Sequence, residues 1–152
     1  MKKIFGLILV IALVISTLMG CSTGEKESEF HSLVSETQAL LDTVADDIYS
    51  YWYDCIYKDK YGESIDLAIS SALVDNQENI DQIEANNEII KSLYSDVKNG
   101  DLQSEIKAVM QAYNEYYSFV MEVSGSFKSF SDDKETLKKE LASALKNLEF
   151  EL

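Results

Sequence analysis

The sequence holds no arginine and no proline, and in 152 residues it has one histidine, one tryptophan, two cysteines and six glycines. Each scarcity excludes something. Without arginine there is no planar fork for bidentate reading of phosphates or base edges. All thirteen cations are lysines, set against 27 acids for a net charge of −14. Such a chain repels polyanions, because nucleic-acid affinity rests on neutralising phosphates with cations, so nucleic acid is not an expected partner. The lack of proline and the few glycines leave little to interrupt a helix. The lone histidine, His31, has no His or Cys at metal-ligand spacing, and a ferritin-like di-iron site needs Glu-x-x-His pairs that one histidine does not supply. There is no G-x-S-x-G, no phosphate-cradling glycine loop and no H-E-x-x-H, and "DVKNGDLQSE" lacks the alternating acids of a calcium loop. No catalytic residue, metal ligand or cofactor is expected, and the chain reads as a non-enzyme.

What is present begins at the N-terminus. Lys2 and Lys3 precede an apolar run over residues 4–15, and small residues then lead to Cys21. That is the order of a secretory signal segment, with residues 1–20 as the removable part. The run is also nearly long enough to stay as an uncleaved transmembrane anchor, and a plain signal peptide without lipid is a further alternative. Leu18, Met19, Gly20 and Cys21 resemble the lipobox of bacterial lipoproteins, with Met19 bulkier than that motif usually carries. The resemblance implies cleavage before Cys21, a diacylglycerol thioether on its sulfur, palmitate-type acylation, and a lipid-anchored protein on the extracytoplasmic face of the cell membrane. Ser22 is not the aspartate associated with inner-membrane retention, so in a cell with two membranes the outer one is expected. Loss of residues 1–20 leaves eleven lysines against 27 acids, a net −16. Anionic headgroups repel such a domain, which is expected to stand away from the membrane. With Cys21 lipidated, Cys55 is a lone thiol at a core-facing position, expected to be a small buried hydrophobe.

Residues 21–29, the lipidated cysteine and "STGEKESE", read as a polar tether, its eight polar residues reaching about 26 Å if extended. From Phe30 onward apolar residues step by three and four: Leu33, Val34, Thr37, Leu41, Val44, Ile48, Tyr51, Trp52, Cys55 and Ile56 share one face of a first helix over about 27–59. A turn follows at Tyr61, Gly62 and Glu63. A second stripe, from Ile65 through Ile69, Ala72, Asn76, Ile83, Asn87 and Ile90 to Val97, predicts one unbroken helix, with Asn76 and Asn87 as polar residues that fix register. A third helix opens at Asp101 with Ile106, Val109, Met110, Tyr113, Tyr117 and Val120 inward. A fourth starts at Ser131, followed by Asp132, Asp133 and Glu135, with Leu137, Leu141, Ala144, Leu145 and Leu148 on its apolar face. The reading is all-α: residues 30–152 form an elongated antiparallel up-down four-helix bundle with coiled-coil-like seams. The alternative is a long three-helix bundle whose third rod breaks near Gly125. Residues 117–127, "YSFVMEVSGSF", resemble a segment of small, functionally unassigned helical lipoproteins from low-GC bacteria, which implies no activity.

Five tyrosines and the only tryptophan crowd into residues 49–62. In the up-down topology Tyr49, Trp52, Tyr53, Tyr57, Tyr61, Tyr113, Tyr116, Tyr117, Phe127 and Phe130, the candidate binding residues, gather with Tyr51 and Phe119 at the end far from the lipid. Tyr49, Tyr53 and Tyr57 form an i, i+4, i+8 row off the inward face. Such rings either plug the end of a bundle or form a recognition surface for a protein or wall glycan. The function expected is a non-catalytic binding module acting through this membrane-distal aromatic tip. The alternatives are a structural spacer or assembly subunit of an envelope complex, or a surface protein of the phage-exclusion kind.

Overall fold

A computed structural model describes residues 23–152, so Cys21 and the leader expected over residues 1–20 lie outside the described residues. Among the described residues there are five α-helices and no strand: α1 (Thr23–Tyr57), α2 (Ile65–Asp75), α3 (Gln77–Val97), α4 (Gln103–Met121) and α5 (Phe127–Glu149), with a 3-10 turn at Tyr61–Glu63. None of these helices is long and apolar enough to cross a membrane.

α1 has 35 residues, which makes it about 52 Å long at 1.5 Å per residue. It starts earlier than the apolar stripe predicts. Residues 23–29, expected as tether, are helical because Glu27 continues the buried face one turn back from Phe30, and because the Lys26 ammonium reaches Asp96 on α3 at 2.7 Å. The helix stops where the backbone N–H groups of Lys58 and Lys60 both turn back to the Asp54 carbonyl, at 3.0 and 3.3 Å. Their side chains also clasp the Asp54 carboxylate, each at 2.7 Å, and hold its pKa below the usual carboxylate range. Asp59, Tyr61 and Gly62 then take left-handed backbone angles, φ 52, 60 and 58°. For Tyr61 that conformation costs about 1–2 kcal/mol, and its ring stacks on Tyr51 with centroids 5.3 Å apart.

The second stripe is not one unbroken helix. It bends at Asn76, where α2 ends and α3 begins. The Asn76 amide donates to the Ala72 carbonyl at 3.0 Å and to Asp47 on α1 at 2.8 Å, and its oxygen accepts from Asn79 at 2.9 Å. A side chain that bonds its own helix's carbonyl in this way competes with the ladder and bends it. The ladder still crosses the bend through Asn76 N–H to Ala72 and Ile80 N–H to the Asn76 carbonyl. Asn87, the second polar residue of the stripe, is buried and accepts from the Tyr113 hydroxyl at 3.3 Å.

α4 opens one residue past the expected cap, with Leu102 rather than Asp101 at the N-cap. α5 opens earlier than Ser131. Ser126 is its N-cap, and the Ser126 and Ser129 side chains each accept the other's backbone N–H, at 3.1 and 3.0 Å. The five residues between α4 and α5 reverse the chain, and Phe119 stacks on Phe130 at 4.7 Å. α5 therefore lies back along α4 instead of continuing it.

α1 meets every other helix, whereas α3 and α5 do not meet. Against α3, Lys26 pairs with Asp96 and Thr37 with Asn86; against α5, Asp42 pairs with Lys138 and Asp46 with Lys134. In both series one partner's number falls as the other rises, so these neighbours are antiparallel. Between them lie fully buried Phe30, Leu41, Val44, Ile48, Ile83, Ile90, Ile106, Val109, Val120, Leu141 and Leu148.

Replacing Asn76 with alanine removes the three bonds of its side-chain amide and orphans part of Asp47's hydrogen bonding. We expect a loss of about 1–3 kcal/mol, seen as a lower urea midpoint at unchanged slope. An unchanged midpoint would mean that the bend needs no side-chain bond.

Candidate functional site

The aromatic end is built by the last two turns of α1 and the first turn of α5. Phe127 inserts among the α1 rings, with centroid distances of 5.1 Å to Tyr49, 5.9 Å to Trp52, 6.3 Å to Tyr53 and 6.1 Å to Tyr57. Phe130, one turn further, lies 5.6 Å from Trp52. Phe119, also expected at this end, closes the group from α4. These spacings are those of stacked and edge-on aromatic pairs. Two cations complete the wall: Lys134 lies 4.9 Å from the centroid of the Tyr49 ring, and Lys58 lies 5.5 Å from that of Tyr53.

The twelve rings expected at one tip divide into three places. Trp52 and Phe130 are buried in the tip group, Tyr49 and Phe127 are half-buried, and Tyr53 and Tyr57 are exposed at 38 and 61%. Tyr61 sits on the opposite flank of α1, stacked on Tyr51, whose hydroxyl donates to Asp75. That bond pushes the Tyr51 phenol up to about 12. Tyr113, Tyr116 and Tyr117 belong to the body of the bundle. Tyr113 is fully buried, lies 5.9 Å from half-buried Tyr117 and bonds Asn87; burial and then Tyr117 push its phenol up. Tyr116 is also fully buried, although the helical pattern favoured Tyr117, and it donates to Asp42 at 2.7 Å. Burial, then the bond to Asp42, raises its pKa. Tyr116 points inward because Asp42, held by Lys138 at 2.9 Å, offers its hydroxyl an acceptor between helices.

Sequence periodicity has no way to show where a bundle stops, and that is where the open surface lies. Ile56 follows Trp52 by four residues, so it continues the inward face of α1. Ile65 precedes buried Ala68 by three and lies on the inward face of α2. Both nevertheless expose about two-fifths of their surface, 41 and 40%. Tyr53 and Tyr57 on the last turns of α1, and Leu67 on α2, itself 53% exposed, are further exposed apolar side chains of the same two helices. The Trp52 indole N–H is buried with no hydrogen-bond partner among the described residues.

Polar chemistry is elsewhere. Lys134, nearly buried, bridges Asp46 and Glu135, and a groove between α1 and α5 is lined by Ser35, Gln38, Asp42, Glu135, Lys138 and Lys139. Lys134 with Asp46 and Lys138 with Asp42 pair across helices, which makes them interhelical ties. Cys55 is buried and free. Among the described residues no three His, Cys, Asp or Glu side chains are grouped to hold a metal ion. Comparison with protein-family models, with curated proteins and with solved structures finds no match.

With Trp52 only 4% exposed, its emission should be blue and weakly quenched by acrylamide. Phe127→Ala uncovers it, so the emission should shift to the red and quenching rise. We expect about 2 kcal/mol of lost stability, at the low end for large-to-small changes because Phe127 is only half-buried. A red, readily quenched signal in the unaltered protein would contradict the packing described.

Proposed function

We propose that this chain is a lipid-anchored lipoprotein of the extracytoplasmic cell surface and that it acts as a non-catalytic interaction module. The lipobox-like residues ending in Cys21 support the anchor, and the acidic surface supports a body held off anionic headgroups. In this reading α2 and α3 count as one bent rod, and the molecule is an up-down four-helix bundle. α1 then rises from the anchor and carries its far end about 50 Å outward. The observation that carries the function is the set of large apolar side chains left exposed on the last turns of α1 and the first turn of α2: Tyr53, Ile56, Tyr57, Ile65 and Leu67. A mixed aromatic and aliphatic surface of this kind suits a protein partner, or a wall glycan stacked on the tyrosine faces. No cofactor enters the proposal.

The burial of Trp52, Tyr113, Tyr116 and Phe130 favours a second reading, a spacer or assembly subunit whose rings are core and whose acidic flanks meet another bundle. The two readings place the contact on different surfaces. A photo-crosslinking residue at position 57 of the full-length protein in intact cells should give adducts, and one at Glu88 on the flank of α3 should not. Adducts at 88 alone would support the assembly reading instead. Cys21→Ser should abolish palmitate incorporation and release the protein from membranes, and retention on membranes without label would overturn the lipid anchor.

A further inference from the structure

One ionisable side chain is buried at the other end of the bundle. Glu27, in the second turn of α1, is 6% exposed, and its Oε1 is buried with no hydrogen-bond partner among the described residues. It packs on the connection between α3 and α4. A Cβ added at Gly100 would lie 2.8 Å from that oxygen, 3.3 Å from the Val97 carbonyl oxygen and 3.4 Å from the Thr23 methyl. Any side chain at Gly100 would therefore strike the Glu27 carboxyl. A buried carboxylate requires donors or a cation, and without them burial favours the neutral acid. The charge acting on Glu27 is another acid, Asp101; burial first, and then Asp101, raise its pKa above the ordinary carboxyl value. The charged groups on the elements meeting this corner are Glu25, Lys26 and His31 of α1, Asp96 and Lys98 at the end of α3, and Glu149 and Glu151 at the end of α5. Lys26, the nearest cation along the chain, pairs with Asp96 at 2.7 Å.

We propose that Glu27 is a proton-operated latch: protonated, it lets the first turns of α1 dock on the α3–α4 connection at Gly100, and ionised, it drives those turns off into water. The proton exchanges with bulk solvent. Residues 23–29 are suited to such a release because they are polar throughout, and the first large apolar core residue, Phe30, comes only after them. The sign follows from the raised pKa. Docking is fully stable below the ordinary carboxyl range and weakens as pH rises through the raised value, because the released state binds fewer protons. The consequence, though not the latch itself, rests on the lipid-anchor reading. With lipid on Cys21, docking holds the bundle close to the anchor, while release adds seven residues, up to about 25 Å of tether.

The test uses the full chain in detergent, with amide hydrogen exchange at residues 27–29, whose N–H groups close the first turns of α1. Between about pH 4 and about pH 8 the protection of these amides, corrected for intrinsic rates, should fall by about tenfold for each unit by which the Glu27 pKa is raised. Glu27→Gln should keep full protection throughout. Equal protection at both pH values in the unaltered protein, or an equal loss in E27Q, would overturn the latch. Should E27Q fail to fold, the Glu27 carboxyl-carbon NMR shift in the unaltered protein decides, because a midpoint at the ordinary carboxyl value overturns the proposal and a raised one supports it. None of these measurements reads the lipid, so their failure leaves the anchor reading standing, and loss of the anchor leaves the latch standing.

Discussion

Every helix in this protein is placed by its contact with α1. Along one flank α1 offers Thr37, Asp47 and Tyr51 to α2 and α3, bonded to Asn86, Asn76 and Asp75. Along the other it offers Gln38, Asp42 and Asp46 to the Lys138 carbonyl and the Lys138 and Lys134 ammonium groups of α5. Leu41, Ala45, Ile48 and Trp52 fill the arc between the flanks. The division of labour follows from the physics. Burial of the apolar arc drives association but is indifferent to rotation and register. The flank bonds are directional and admit one register, because sliding a helix by one turn would leave buried polar groups unpaired. α4 needs less of this, since it reaches α1 through a single hydroxyl, that of Tyr116 on Asp42.

The helical class and most of the core were legible in the sequence because a period of three and four survives any tertiary arrangement. Ile83, Ile90, Ile106, Val109, Leu141 and Leu148 were all expected inward and are buried. Helix ends were less legible, since each depends on a contact distant in sequence. Residues 23–29 join α1 through Asp96 and Gly100, and α5 begins at Phe127 because the α1 rings receive that side chain. The bend at Asn76 was hidden for the same reason, as the stripe marks Asn76 as inward without showing that it also bonds the carbonyl four residues back.

Of the candidate site, the row Tyr49, Tyr53 and Tyr57 was readable from spacing, and so was its nearness to Phe127. Its division into core and surface was not. Tyr113 and Tyr116 look like tip residues in a linear count but lie down in the bundle, each held by one hydroxyl bond. The feature that carries the proposed function, Ile56 and Ile65 left about two-fifths exposed at positions whose spacing reads as inward, depends on where the helices end in space. No property of either isoleucine announces it.

The two ends of α1 thus differ from its middle for opposite reasons. One end exposes Ile56 and Tyr57, and the other buries a carboxyl oxygen that has no hydrogen-bond partner among the described residues, while the middle is buried against α3, α4 and α5. Native-state hydrogen exchange along α1 tests this directly. The account predicts that the amides of Leu41, Val44, Ala45 and Ile48 exchange only through global unfolding, with protection falling toward Glu27 on one side and Tyr57 on the other. Uniform protection along α1, or a middle that opens before α3 and α5 do, would contradict it.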